Sequence, residues 1–144
     1  MRSAVAEWLQ PETGAGKIEI TGAKLLSGGA IQENWLLDLT IQGGRLDGLE
    51  HAVLRTDAAS GVDESHGRVE EFRLLSAGFD AGMTVPEPFA LEPTGSITGK
   101  PFYVMRKADG TANPRMLTRD TALDPHRTGL ARQIGREMAR LHRI

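Results

Sequence analysis

The sequence predicts an α+β domain, in which an antiparallel sheet of about five short strands carries one packed helix and a further helix closes the chain. Three patterns predict it. Apolar residues alternate with period two in short runs broken by Gly pairs, as at Ile31, Trp35, Leu37, Leu39 and Ile41. Residues 65–79 instead place Val69, Phe72, Leu75 and Phe79 in one stripe at helical spacing. Residues 124–141 repeat that spacing with Leu130, Ile134, Met138 and Leu141.

The elements follow in order. Residues 3–10 predict a short helix ended by Pro11, with a flexible joint at Gly14 and Gly16. Ile18 to Ser27 reads as the first strand, Ser27-Gly28-Gly29-Ala30 as a turn, and Ile31 to Ile41 as the returning strand. Gly43-Gly44 breaks it, and Leu49 to Thr56 is a third strand. The helix over 65–79 takes Asp63 or Ser65 as its cap and ends near Gly78 or Gly82. Pro86 and Pro88 lead extended backbone into a strand at 88–93, and Pro101 opens another at Phe102-Tyr103-Val104-Met105. Residues 111–123 stay open between a loop and a short helical piece. Asp124-Pro125 reads as a helix start, Asp as N-cap and Pro in the first turn.

A chain of 144 residues suggests one domain, and its net charge of −2 provides no general attraction to nucleic acid or anionic membrane. The absence of Cys excludes disulfides and thiol chemistry. MRSAVAEWLQ lacks the apolar core of a signal peptide, and no apolar run is long enough to span a bilayer, so a cytoplasmic location is expected. His51, His66, His126 and His142 show no metal-ligand spacing and are read as non-ligands. Arg132, Arg136, Arg140 and Arg143 are read as a solvated basic stripe.

Two features carry chemistry without further context. Gly28 and Gly29 suit either a hairpin turn or a backbone that approaches phosphate oxygens. Val53 and Arg55 point the same way from a strand, which puts an apolar side chain beside a fork of donors suited to phosphate. In isolation, an Arg at a strand end is more often only a surface residue.

Seven pieces occur in order: LSGG at 26–29, AVLR at 52–55, EEFRLL at 70–75, VPEP at 85–88, GKPFYVM at 99–105, ADG at 108–110 and LARQIGREMARLH at 130–142. Together they resemble the N-terminal lobe of the aminoglycoside phosphotransferase and choline kinase-like family, most closely the branch found beside acyl-CoA dehydrogenases. The resemblance covers roughly residues 18–144. It implies an N-terminal helix and joint at 1–17, a kinase-like nucleotide-binding lobe at 18–110, and a connector with the first helix of a truncated C-terminal lobe at 111–144.

It also implies roles. Gly28 and Gly29 approach the phosphates. Val53 packs on adenine, and Arg55 stands where the family carries its phosphate-binding Lys. A Glu on the helix at 65–79 fixes the direction of Arg55. On a helical wheel Glu71 lies about 80° from the centre of the apolar stripe and Glu70 about 180°, so Glu71 is chosen. Met105 guards the back of the pocket, while the C=O of Arg106 and the N–H of Ala108 meet adenine. The cofactor implied is ATP with Mg²⁺, and the acceptor is a small hydroxylated molecule. The Mg²⁺ ligands and the family's H-G-D-x-x-x-x-N catalytic loop are not in these residues, so the chain alone is expected to be inactive. Without its partners the face of the last helix is expected to self-associate as a homodimer, or to be poorly ordered. Two alternatives stay open: a non-catalytic, pseudokinase-like module that binds a nucleotide or a partner protein, and an unrelated α+β binding domain.

Overall fold

A computed structural model describes residues 1–26, 32–58, 67–110 and 114–143. Gly28, Gly29 and His66, and the caps expected at Asp63 or Ser65, lie outside the described residues. The elements are α1 (Arg2–Thr13), β1 (Lys17–Leu25), β2 (Gln32–Gln42), β3 (His51–Asp57), α2 (Arg68–Asp80), β4 (Pro88–Glu92), β5 (Phe102–Arg106), α3 (Pro114–Arg119), a 3₁₀ segment (Thr121–His126) and α4 (Arg127–Leu141). The five strands form one sheet in the order β1-β2-β3-β5-β4, with every neighbouring pair antiparallel.

The sheet is covered on both faces, because strand alternation sends apolar side chains both ways. Ile18, Ile20, Leu37, Leu39, Ile41, Ala52, Leu54, Phe102 and Val104 form the main core with Val5, Ala6 and Leu9 of α1. Val53, Tyr103 and Met105 point to the opposite face and meet Phe72 and Leu75 of α2. Trp8 of α1 sets its ring edge-on to Phe102, with centroids 4.9 Å apart. A bulge at Thr21 shifts the alternation in β1, so Ala23 pairs with Leu37 after Ile20 has paired with Leu39.

Two boundaries differ from those expected. Pro11 lies inside α1 rather than ending it. The N–H it lacks would reach only the carbonyl of Glu7, and the helix continues for just two more residues. Leu9 and Thr13, one turn apart, are both buried against the sheet and hold that last turn in place. Gly14 then caps it in the left-handed conformation, with Ala15 N–H donating to Gln10 O at 3.1 Å. At the other end, Asp124-Pro125 does not open α4. Asp120 caps the preceding 3₁₀ segment by accepting from Ala122 N–H at 2.9 Å. Asp124 instead accepts from Arg127 Nε at 2.7 Å, and α4 begins at Arg127. Among the described residues no helix is long and apolar enough to cross a membrane.

Candidate functional site

The face of the sheet toward α2 carries two rows of side chains in register. Leu36 pairs with Val53, and Val53 with Met105, an apolar row across β2, β3 and β5. One pleat along, Asn34 pairs with Arg55 and Arg55 with Tyr103, a polar row. Two residues of extended backbone separate the rows by roughly 7 Å. A flat apolar surface therefore lies next to a guanidinium. The cleft above it, between α2 and the sheet, is lined by Arg55, Glu71, Leu75, Pro86, Tyr103 and Met105.

Arg55 is held on two sides. Its Nε donates to Asn34 Oδ1 and its Nη1 to Glu71 Oε1, both at 2.7 Å. Glu71 lies on the flank of α2 that reaches the cleft, and Glu70 faces solvent. The second oxygen of Glu71 accepts from Arg68 Nη1. Arg68 is among the most buried side chains of the protein, with a side-chain exposure of 1%. Its Nε also lies 3.0 Å from Asp57 Oδ1. With its amide turned to satisfy its neighbours, Gln32 accepts from both Arg68 Nη atoms at 3.2 and 3.3 Å. One carboxylate is thus divided between two guanidiniums, one oxygen each, so Arg55 is directed without holding the carboxylate to itself.

Tyr103 closes the polar row. Burial, with the negative charge of Glu71 beside it, pushes its phenol up to about 12 against the opposing, lowering influence of Arg55. It remains protonated at neutral pH and can only hydrogen-bond. Its ring leans on Phe72, with centroids 5.6 Å apart.

Beyond Met105 the chain leaves the sheet. Arg106 N–H donates to Glu87 O at 2.8 Å, and its guanidinium grips Glu87 Oε2 at 2.7 and 2.9 Å. That guanidinium also lies 5.4 Å from the centre of the Phe89 ring, on the α1 face of the sheet. The Arg106 side chain is therefore directed away from the cleft. Ala108 is exposed, within residues 107–109, which belong to no helix or strand.

Of the eight residues singled out in the sequence, Arg55, Glu71 and Met105 line one cleft and Val53 packs beside Met105 on the same sheet face, while Arg106 and Ala108 follow Met105 in the chain. Sequence reasoning missed Asn34, Leu36, Arg68 and Tyr103. Asn34 and Leu36 occupy the even positions of β2, opposite the odd apolar series that identified the strand. In the sequence Tyr103 reads only as part of a strand. Arg68 stands three residues before Glu71, a spacing at which helical side chains meet. Among the described residues, no cluster of three His, Asp or Glu side chains could hold a metal ion.

A model of the phosphotransferase enzyme family matches residues 22–144. The chain is also similar in structure to a candidate aminoglycoside phosphotransferase from Ralstonia eutropha JMP134, with a TM-score of 0.53 and 18% identity. The match covers 76% of this chain and 28% of that one, so this chain spans under a third of its neighbour's length. At that identity the likeness establishes the fold, a kinase-like N-terminal lobe. No curated protein sequence matches the chain.

Proposed function

This chain belongs to the phosphotransferase enzyme family, and from that premise we propose that it is the ATP-binding portion of an enzyme that phosphorylates a hydroxyl on a small molecule. The observation that carries this reading is the in-register pair of rows, with Leu36, Val53 and Met105 beside Arg55. Adenine requires a flat apolar surface and an exposed backbone edge, and the phosphates require fixed donors. The residues present fit those needs. Val53, Leu36 and Met105 bind the base. The C=O of Arg106 and the N–H of Ala108 hold its edge. Arg55, oriented by Glu71 and Asn34, engages phosphate oxygens, and Gly28 and Gly29 lend backbone N–H groups to them. When bound, ATP with Mg²⁺ supplies the transferable phosphoryl group.

These residues position a nucleotide and do no more. The sequence contains no His-Gly-Asp, and among the described residues the carboxylate that lines the cleft, Glu71, has both oxygens engaged by Arg55 and Arg68. The chain by itself is accordingly inactive in this reading, and a cytoplasmic location accords with its use of ATP. A second reading, a non-catalytic nucleotide- or partner-binding module, draws support from Arg55, which is already engaged by Asn34 and Glu71. A His-Gly-Asp-x-x-x-x-Asn sequence following residue 144 in the gene decides for the enzyme. For the chain by itself, two copies pair through α4. Its Leu130, Ile134, Met138 and Leu141 are 43, 62, 56 and 55% exposed. Light scattering should show a dimer that Ile134→Glu converts to a monomer.

The test is calorimetric titration of Mg²⁺-ATP into the chain and into Arg55→Ala. Saturable binding is expected, weakened about tenfold to a hundredfold by loss of a charged hydrogen bond. A folded chain that binds no nucleotide, or binds it equally well without Arg55, overturns the reading.

A further inference from the structure

The sheet face turned away from the cleft holds a separate pocket of about 160 Å³, partly open to solvent, beneath the start of α1. Its apolar wall is Val5 from α1, Ile20 and Ala23 from β1, Trp35 and Leu37 from β2, and Leu54 from β3, with the exposed Met1 beside them. Val5, Ile20, Leu37 and Leu54 are all buried. The bulge at Thr21 helps to make the space, because it turns Ala23, with a single methyl, toward the cavity where a larger side chain would fill it.

Most of the wall is apolar, and it offers a water few of the two to four polar partners that a held water needs. Each polar side chain around this pocket makes a hydrogen bond within the protein. Thr56 Oγ1 donates to Pro101 O and Thr98 Oγ1 to Lys100 O, both at 2.9 Å. Lys100 Nζ donates to Asp57 O at 2.9 Å and Arg2 Nη1 to Thr21 O at 2.8 Å. Glu33 accepts from Trp35 Nε1 at 3.1 Å, so the indole has no donor left for a guest. An aliphatic cavity of roughly 150 Å³ stays dry and admits a benzene-sized molecule.

We propose that this cavity is a binding site for a small neutral apolar molecule, a single aromatic ring or a branched alkyl group. It is independent of the nucleotide cleft, from which it is separated by the thickness of the sheet. Leu54 faces the pocket, while its neighbour Val53 packs under α2 on the opposite face and Arg55 lines the cleft there.

The test is a titration of benzene into the whole chain, followed by ¹H–¹³C methyl spectra. Saturable shifts are expected at Val5, Ile20, Leu37 and Leu54, with intermolecular NOEs from benzene to Ile20 and Leu54. Ala23→Leu, which places its side chain in the space, should abolish them. Shifts that stay linear up to the solubility limit, NOEs confined to other methyls, or undiminished binding in a folded Ala23→Leu overturn the proposal. Should that variant fail to fold, the saturation and NOE measurements on the unaltered chain still decide it.

Discussion

Replacing Glu71 with Ala should destabilise the domain far more than replacing Arg55, although the two residues form one ion pair. The difference comes from Arg68. Arg55 is 26% exposed at its side chain, so water and Asn34 compensate for a lost partner. Its contact contributes about 1 kcal/mol. Arg68 is 1% exposed, and Glu71 is one of its carboxylate partners, with Asp57, among the described residues. Removing one partner of a buried pair costs roughly 3–5 kcal/mol. Asp57 and Gln32 remain, which points to the lower end. Adding the Arg55 contact brings the expected loss for Glu71→Ala to about 4 kcal/mol, against about 1 for Arg55→Ala. At roughly 3 °C per kcal/mol for a domain of this size, Tm falls by about 12 °C in the first case and about 3 °C in the second. Urea denaturation of both variants measures the difference directly, with a shift in midpoint at unchanged slope. Glu71→Gln should recover part of the loss by keeping an acceptor beside Arg68. Equal midpoints for Glu71→Ala and Arg55→Ala would refute the assignment of Arg68 as the residue that depends on Glu71.

Gly44→Ala should cost about 2–3 kcal/mol, since φ is +74° and the new Cβ would lie 2.6 Å from backbone atoms of Thr13 and Ala15. Gly48→Ala, with φ at +73° and nothing within 4 Å, should cost only about 1 kcal/mol, and paired urea melts separate clash from conformation. Glu92 is buried, and burial raises its pKa, but hydrogen bonds from Thr94, Gly95 and Ser96 together outweigh this and hold it below its ordinary 4.5. Its contribution to stability is therefore complete above pH 4.5 and is lost as pH falls through the lower folded value. Thermal melts of Glu92→Gln should show less loss below pH 4.5 than the unaltered chain. Glu137 ties α4 to the end of the α2–β4 connection by accepting from Thr84 N–H and Oγ1, both at 3.0 Å. Glu137→Ala should speed hydrogen exchange at Thr84 while leaving exchange in β3 and β5 unchanged.

The strands and α2 were legible because each has an apolar period that matches its geometry, two in β2 and three to four in α2. Glu71 was legible for the same reason, as helical spacing alone puts it on the flank of the buried stripe and Glu70 in water. The lie of α1 was not legible. Its Pro11 reads as a stop, and only the packing of Leu9 and Thr13 on the sheet carries the helix past it. The start of α4 was misread, because Asp124-Pro125 has the composition of a cap, while the side chain of Asp124 is taken by Arg127.

Local order along the chain thus determined which residues are strand and helix, and which face of β3 and α2 carries Val53, Arg55 and Glu71. The tertiary structure decided what those faces meet. Pairing between strands far apart in sequence brings Leu36 beside Val53 and Met105, and Asn34 and Tyr103 beside Arg55. Packing of α2 across the sheet brings Arg68, an unremarkable charge in the sequence, into a buried ion pair that no periodicity encodes. Side-chain period is a property of a single segment, whereas register and desolvation are properties of two segments in contact.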